Sequence, residues 1–312
     1  MDSTTSEITH HFPPFFQVHK DGRVDRFMPS VFAPPTLNPQ TGVESKDVLI
    51  SPETGVKARI FLPKINGPDQ KKLPLVVHYH GGAFCFGSAL DTATAQFLTR
   101  LVSEANVVAV SVDYRLAPEH KLPIAFDDSW SALQWIGAHI NGNGPELWLN
   151  QYADFGRVFL TGESAGATIA HYVAVRVGTT TGFPDGPCVR GAVMVHPYFA
   201  DTKPNDVMRF MYPGSSGTDS DPRLNPKADP DSGKMGCEKV VVFVAENDEF
   251  GLKPLGVEYC ETLKKSGWKG DVELVENKGE GHVFHLINPT CENALLLVQK
   301  FASFVNDDYV SE

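Results

Sequence analysis

The chain has 312 residues, of which 42% are hydrophobic and 21% are charged, proportions that are ordinary for a globular protein. Its formal net charge of −11 argues against binding to nucleic acid or to an anionic membrane, because both need a basic face that neutralises phosphate. The N-terminal residues lack the basic and apolar regions of a signal peptide, and no run approaches the roughly 18 apolar residues that span a bilayer. The five cysteines have no metal-binding spacing, so we expect reduced thiols, no bound metal and a cytoplasmic location.

Short β-rich runs alternate with longer helical patterns along the chain, which is typical of an α/β fold with a mostly parallel central sheet flanked by helices. The predicted strands are Lys57–Leu62, Leu75–Tyr79, Val107–Val112, Val158–Leu160, Ala192–Val195, Val240–Ala245 and Val272–Val275. The predicted helices are Thr92–Glu104, Ala125–His139, Ala165–Val177, Pro254–Ser266 and Cys291–Val305. Because several strands are apolar almost throughout, we expect both faces of the sheet to be covered.

Residues 1–45 and 199–234 fit neither the strand nor the helix period and are rich in Pro, Gly, Ser and Asp. We interpret both as cap elements over the carboxyl edge of the sheet, where an open α/β sheet binds its ligands. For residues 1–10 we prefer a disordered tail. Since no repeat or linker divides the sequence, residues 1–312 are expected to form a single domain.

A candidate nucleophile lies in Gly162–Gly166 (GESAG), which has the pattern G-x-S-x-G between a predicted strand and a predicted helix. Such a turn projects the Ser164 hydroxyl outward, and its glycines remove side chains that would clash. The helix that follows offers free amides to a developing oxyanion, Ala165 first among them. The alternative interpretation is a glycine-rich turn with an N-capping serine.

A second motif, His80–Ala83 (HGGA), follows the strand that ends at Tyr79. Lipases and esterases place a loop of this kind upstream of the nucleophile, where its amides complete the oxyanion hole. The predicted donors are the amides of Gly81, Gly82 and Ala165, and His80 is expected to orient the loop.

A general base and an acid are expected after the nucleophile, in the order serine, acid, histidine. His282 follows the last predicted strand and is the preferred base, with His285 as its competitor. His171 is about two helical turns, roughly 10 Å, from Ser164 and is too far away. Asp248 follows the strand that ends at Ala245 and is the preferred acid, and its flanking residues Glu246 and Glu249 are the alternatives.

Taken together, these residues resemble the plant carboxylesterases of the hormone-sensitive-lipase-like branch of the α/β-hydrolases. The resemblance covers nearly the whole chain and is carried by Lys20–Val24 (KDGRV), His80–Phe84 (HGGAF), Asp113–His120 (DYRLAPEH), Gly162–Gly166, Asn225–Pro226, Lys265–Trp268 (KSGW) and Gly281–Phe284 (GHVF). It implies an α/β-hydrolase fold and a serine carboxylesterase that acts on small esters, within plant specialised metabolism. In that family the triad acid lies two residues after the position of Glu246, which favours Asp248.

The sequence departs from the usual family pattern at several positions. Ala83 occupies the third glycine position of the usual HGGG, where an alanine reduces the freedom of the backbone. The elbow reads GESAGAT where the family more often has GDSAGGN, so that Thr168 replaces an amide side chain. Residues 199–221 are shorter than in typical members, which predicts a more open acyl pocket.

The leading hypothesis is therefore ester hydrolysis without a metal or organic cofactor, since nucleophile, base and oxyanion hole are all supplied by the chain. Candidate pocket walls are Phe15, Phe16, Phe84 and Phe86, with plain core packing as the alternative. The family also includes 2-hydroxyisoflavanone dehydratases, which makes a lyase the second hypothesis. Its receptors and alkaloid cyclases have typically lost the triad histidine, so the retained His282 argues against both. The oligomeric state stays open.

Overall fold

The computed structural model of the protein describes residues 7–67, 70–180, 186–203 and 205–307. Its strands are β1 (Ile8–Phe12), β2 (Phe16–His19), β3 (Val24–Arg26), β4 (Glu44–Ser51), β5 (Val56–Leu62), β6 (Leu73–Tyr79), β7 (Val108–Asp113), β8 (Ala153–Glu163), β9 (Val189–Val195), β10 (Lys239–Ala245) and β11 (Asp271–Asn277). Its α-helices are α1 (Thr92–Ala105), α2 (Ile124–Gly137), α3 (Leu147–Tyr152), α4 (Ala165–Thr179), α5 (Asp206–Met211), α6 (Lys253–Lys265), α7 (Phe284–Ile287) and α8 (Glu292–Asn306). None of the helices in these ranges is both long enough and apolar enough to cross a membrane.

The central sheet has eight strands in the order β11-β10-β9-β8-β6-β7-β5-β4. From β11 to β7 all neighbours run parallel, whereas β5 is antiparallel to both β7 and β4. The predicted α/β architecture, a mostly parallel sheet flanked by helices, is confirmed. Because parallel strands end at the same edge, the loops that follow β6, β8, β10 and β11 meet there.

Helices cover both faces of the sheet. Along β6, Leu75 and Val77 belong to the core under α2, α4 and α6, whereas Val76 between them belongs to the core under α1 and α8. Side chains alternate between the two faces of a strand, so a strand that is buried on both sides has to be apolar throughout. Each large aliphatic side chain buried in this way contributes about 1.5–3 kcal/mol.

The N-terminal segment is more ordered than the sequence predicts. Strands β1, β2 and β3 form a separate antiparallel sheet, in which Phe12 pairs with Phe16 and His11 with Gln17. The prediction of a disordered tail is therefore wrong for residues 8–10, and residues 1–6 lie outside the described part. Since β1 is mostly exposed, it shows no apolar run, and the backbone pairing with β2 supplies its order.

Several further elements have no counterpart among the predictions. Strand β4 lies at the edge of the sheet and is largely polar, so its sequence lacks the apolar signal of the central strands. Helices α3, α5 and α7 have four to six residues, which is too short for a helical period to be recognised. The five cysteines are free thiols, as expected.

Candidate active site

Ser164 lies at the tight turn between β8 and α4, with φ 53° and ψ −120°. The flanking glycines are required by the packing. A Cβ atom on Gly166 would lie 2.0 Å from the Tyr79 carbonyl oxygen, and one on Gly162 would lie 2.3 Å from the Gly166 carbonyl carbon. The backbone of Ser164 is fixed on both sides, because its amide donates to the Val195 carbonyl at 3.0 Å and its carbonyl accepts from the Tyr198 amide at 3.1 Å.

His282 and Asp248 form a hydrogen-bonded pair after β11 and β10. Nδ1 of His282 lies 2.8 Å from Oδ2 of Asp248, and both side chains are almost fully buried. Burial alone would raise the pKa of Asp248, but the hydrogen bond from His282 and the amides of Leu252 and Phe250 outweigh it and hold the pKa below its ordinary value. The alternative acid Glu249 instead accepts the backbone amide of His282 at 2.9 Å, so it fixes the loop rather than the imidazole ring.

The loop after β6 presents amides beside Ser164, but not the full set that the sequence predicts. The Gly81 amide donates to Oε1 of Glu163 at 2.8 Å, so the prediction of Gly81 as an oxyanion donor is wrong. Within the described residues, the amides of Gly82, Ala83 and Ala165 have no hydrogen-bond partner. Ala165 is the first residue of α4, and the amides of a helix's first turn have no partner within the helix.

Glu163 is a buried anchor that sequence reasoning missed. Its second oxygen, Oε2, lies 2.8 Å from Nε2 of His78. Burial alone would raise the pKa of Glu163, but the charges of His78 and His285 together with the Gly81 amide lower it to about 2. Two sequence signals could have found this pair: a carboxylate inside the elbow motif, and a lone histidine in the apolar strand Leu73–Tyr79.

Ser111, His78 and Glu163 together form a second serine–histidine–acid set. Nδ1 of His78 lies 2.9 Å from the Ser111 hydroxyl, which completes the series. Ser111 and His78 are 0% and 1% exposed, so a substrate has no access to this serine and histidine.

Other histidines at this edge support the site. His196 accepts the Val283 amide on Nδ1 at 2.9 Å, next to His282 in the chain, and its ring centre lies 5.8 Å from that of His282. Burial lowers the pKa of His196 to about 3 and that of His285 to about 4. His285, the alternative base, is buried against Phe97. Of the other histidines, His171 contacts the Tyr259 hydroxyl at 3.0 Å, away from the site.

Backbone strain is concentrated at the same edge of the sheet. Of the six non-glycine residues with positive φ in the described part of the chain, five lie around Ser164 and His282: Ala83, Phe84, Ser164, His196 and Val283. A left-handed conformation costs about 1–2 kcal/mol in a residue with a side chain, so the surrounding packing has to hold these residues in place.

Ser164 and His282 both line one cavity of about 570 Å³, which is also lined by Gly82 and Ala83. The N-terminal segment contributes Met28 to its wall, and the region around α5 contributes Met208 and Met211. Within the described ranges, no three His, Cys, Asp or Glu side chains are grouped closely enough to ligate a metal ion.

Two of the four predicted pocket residues lie on the cavity wall. Phe15 and Phe86 line it, whereas Phe16 and Phe84 do not. The prediction for Phe16 and Phe84 is wrong because both are 0% exposed and pack in the core, Phe84 with its ring centre 5.5 Å from that of Phe126. Thr168 is buried under the site, where its hydroxyl donates to the Tyr198 carbonyl.

The chain is similar to known proteins. Residues 76–286 match a family model described as alpha/beta hydrolase fold. The chain is 42% identical to "Probable carboxylesterase 1" of Arabidopsis thaliana, over 97% of this chain and 99% of the relative. The chain belongs to the plant carboxylesterase family of α/β-hydrolases.

Other relatives in this family differ in their chemistry. A 2-hydroxyisoflavanone dehydratase of Glycyrrhiza echinata is 41% identical over 97% of this chain and 98% of its own length. Among solved structures, a hyperthermophilic esterase of the archaeon Pyrobaculum calidifontis aligns with a TM-score of 0.67 and 27% identity, covering 84% of this chain and 85% of that chain. Membership of this family therefore does not by itself identify the reaction, and the residues of the site have to indicate it.

Proposed function

We propose that this carboxylesterase hydrolyses small carboxylic esters through an acyl-enzyme on Ser164, with His282 as general base and acid and Asp248 as the residue that orients His282. The observation that carries the proposal is that an Asp248-bound imidazole lines the same cavity as a serine held on a strained strand-to-helix turn. The carboxylate fixes the imidazole tautomer and stabilises the imidazolium that forms.

In the first half-reaction the Ser164 oxygen attacks the ester carbonyl carbon while His282 takes the hydroxyl proton. The carbon–oxygen bond to the alcohol then breaks, and the alcohol leaves with the proton from His282. In the second half-reaction a water molecule gives its proton to His282 and attacks the acyl carbon, which releases the acid and restores the Ser164 hydroxyl. No electrons are exchanged with an external oxidant, and the only co-reactant is water.

The oxyanion of each tetrahedral intermediate is proposed to accept hydrogen bonds from the amides of Gly82, Ala83 and Ala165. Their support is that all three amides are unpaired among the described residues and adjoin Ser164 or the cavity. Loss of one such donor typically costs about 3–4 kcal/mol of transition-state stabilisation. The Gly81 amide is not among the proposed oxyanion donors, since its hydrogen bond to Glu163 fixes the loop.

The two cap segments, residues 1–45 and 199–234, are proposed to enclose the substrate as parts of a single domain. Their support is that Met28 and Met211 both line the cavity. A cytoplasmic location and a role in specialised metabolism stay predictions. The free cysteines fit a reducing compartment, whereas one 41% identical relative, "Probable carboxylesterase 4, mitochondrial" of Arabidopsis thaliana, has another location.

The test is hydrolysis of short p-nitrophenyl esters, together with labelling by a fluorophosphonate, which phosphonylates an activated serine. We expect wild-type protein to turn over the esters and to gain one phosphonyl group on the peptide that contains Ser164. Ser164→Ala should lose both, with kcat lower by at least about 10³-fold.

Ser111→Ala is the matched control, because it makes the same change in the buried serine–histidine–acid set. We expect it to keep labelling at Ser164 and to retain kcat within a few-fold. Turnover of a 2-hydroxyisoflavanone with no ester hydrolysis and no label would favour the lyase instead. Tight ligand binding without any turnover would favour a receptor.

A further inference from the structure

The charge inside the active-site cavity has one sign. Three carboxylates line it, those of Asp91, Glu163 and Glu249, and no lysine or arginine lines it within the part of the chain that the structure describes. Glu163 is already compensated by His78 and by the Gly81 amide. The basic side chains of the described wall are His80, whose pKa is lowered by burial, and His282, which is bonded to Asp248, so no lysine or arginine balances the charge of Asp91 and Glu249.

Asp91 is the more telling of these two carboxylates. It precedes α1 as its N-cap residue, yet its side chain accepts no hydrogen bond from the first turn of that helix, as an aspartate at this position usually does. One oxygen, Oδ2, accepts from the Ser30 hydroxyl at a long 3.3 Å. The other, Oδ1, is buried and has no partner among the described residues. Burial raises the pKa of Asp91 and outweighs the Ser30 hydrogen bond and the charge of His80, which both lower it.

The rest of the cavity wall is rich in aromatic rings. Phe15, Phe86, Tyr198 and Phe250 all line it, and the rings of Phe15 and Phe86 are stacked with their centres 6.4 Å apart. The face of an aromatic ring attracts a cation, and the attraction is stronger where the cation is shielded from water. A carboxylate and aromatic rings on the wall of one cavity are the combination that recognises an ammonium group.

We propose that the preferred substrates of this enzyme are esters that carry a positively charged ammonium group, and that Asp91 selects for that charge. This inference rests on the proposed esterase function and adds the substrate class to it. An ammonium group would supply the opposite charge that Asp91 lacks, and an anionic ester would enter a cavity without a counter-charge. The formal net charge of −11 also draws cations toward the protein.

The experiment compares p-nitrophenyl esters that differ in the charge at the end of the acyl chain. One is the ester of γ-(trimethylammonio)butyric acid, and the second is its uncharged isostere, in which carbon replaces the ammonium nitrogen. The third carries a carboxylate at the same end of the acyl chain. For wild-type protein we expect kcat/KM to be about tenfold higher for the cationic ester than for the isostere, and about tenfold lower for the anionic ester.

Asp91→Asn tests the residue, since it removes the charge and keeps the shape. We expect the preference for the cationic ester over the isostere to fall about tenfold, whatever change in kcat/KM the two esters share. Asp127→Asn is the matched control: it removes the same charge from an exposed aspartate of α2 that does not line the cavity, and should leave the preference unchanged. The ratio of two isosteric substrates is insensitive to the folded fraction, so a purely structural effect would not move it.

Each outcome separates this inference from the proposed function. Equal kcat/KM for the cationic ester and its isostere in the wild type would overturn the inference and leave the esterase standing. A preference that survives in Asp91→Asn would overturn the role of Asp91. If Asp91→Asn does not fold, the wild-type series alone still decides the substrate class. Absence of hydrolysis of all three esters by folded wild-type protein would overturn the proposed function, and the inference with it.

Discussion

Two serine–histidine–acid sets lie at the same end of the sheet, and the histidine–carboxylate distance is the same in both, although the carboxylate binds Nδ1 in one and Nε2 in the other. In one, His282 contacts Asp248 at 2.8 Å and shares a cavity with Ser164; in the other, His78 contacts Glu163 at 2.8 Å and Ser111 at 2.9 Å. The second set is buried, and both ring nitrogens of His78 are already hydrogen-bonded within the protein. His282 has only Nδ1 bonded among the described residues.

The difference teaches that a histidine–carboxylate hydrogen bond does not by itself make a catalytic site. A general base needs a ring nitrogen that can reach the reacting proton, together with a cavity that admits the substrate. The buried set has the same kinds of hydrogen bond, but its role is structural. Through Glu163 it holds the Gly81 amide, and so fixes the loop that carries Gly82 and Ala83.

The sharpest way to break this comparison is to neutralise the acid of each set. For Asp248→Asn we expect kcat for ester hydrolysis to fall by about 10⁴-fold, because the imidazole loses its orienting anion. For Glu163→Gln we expect kcat to fall by no more than about tenfold, although the free energy of unfolding falls by about 3 kcal/mol because a buried pair is broken. Steady-state kinetics and urea unfolding measure the two effects. If both variants lost activity to the same degree at equal stability, the assignment of a catalytic role to one set and a structural role to the other would be refuted.

Acid sensitivity sharpens the comparison, because the buried groups stop contributing to the free energy of unfolding in two different pH ranges. His171, His196 and His285 have folded pKa values of about 3, 3 and 4, below the ordinary 6.5, so the unfolded state binds protons first. Their contribution to stability is fully present above pH 6.5 and is lost as the pH falls toward 4 for His285 and toward 3 for the other two. The contribution of Glu163 is present above its ordinary pKa of 4.5 and is lost only as the pH falls toward 2.

Urea unfolding at pH 7.5 and pH 5 measures the first range. We expect the free energy of unfolding to fall by up to about 2 kcal/mol for each of the three histidines. His171→Gln, remote from the cavity, should reduce this fall by one histidine's share while leaving ester hydrolysis at pH 7.5 unchanged. A pH dependence that is identical in the variant and the wild type would contradict the assignment of a buried neutral His171.

The smallest expected effect concerns the strained loop that the buried set anchors. Ala83 has φ 49°, a conformation that glycine adopts without the cost of a Cβ atom. We expect Ala83→Gly to raise the free energy of unfolding by about 0.5–1 kcal/mol and to keep kcat within about twofold, because the amide is retained. Ala95→Gly, the same change inside helix α1, should lower the free energy of unfolding by about 1 kcal/mol. Thermal unfolding compares the two variants, and a loss of stability in both would show that φ at position 83 is unstrained.

The parts of this protein that could be predicted are those with a local signal. The predicted ends of β6, β10 and α8 lie within two residues of the observed ends. These elements could be located because an apolar run or a helical period is a property of neighbouring residues. The edge strand β4 and the sheet β1–β3 could not be found in this way, since they are largely exposed and their order comes from backbone pairing with distant segments.

By itself the sequence determined the α/β order of elements and the position of Ser164 on a glycine-flanked turn, and it predicted His282 and Asp248 as its partners. Each depends on residues that are adjacent in the chain or follow a known order. Only the tertiary structure decided which polar groups are free. Gly81 and Gly82 are alike in sequence, yet the Gly81 amide is bonded to Glu163; Phe15 and Phe16 are neighbours, yet one lines the cavity and the other is buried. The physical reason is that a hydrogen bond or a buried ring is settled by partners from distant elements, such as β8 and the core under α2, which no local pattern contains.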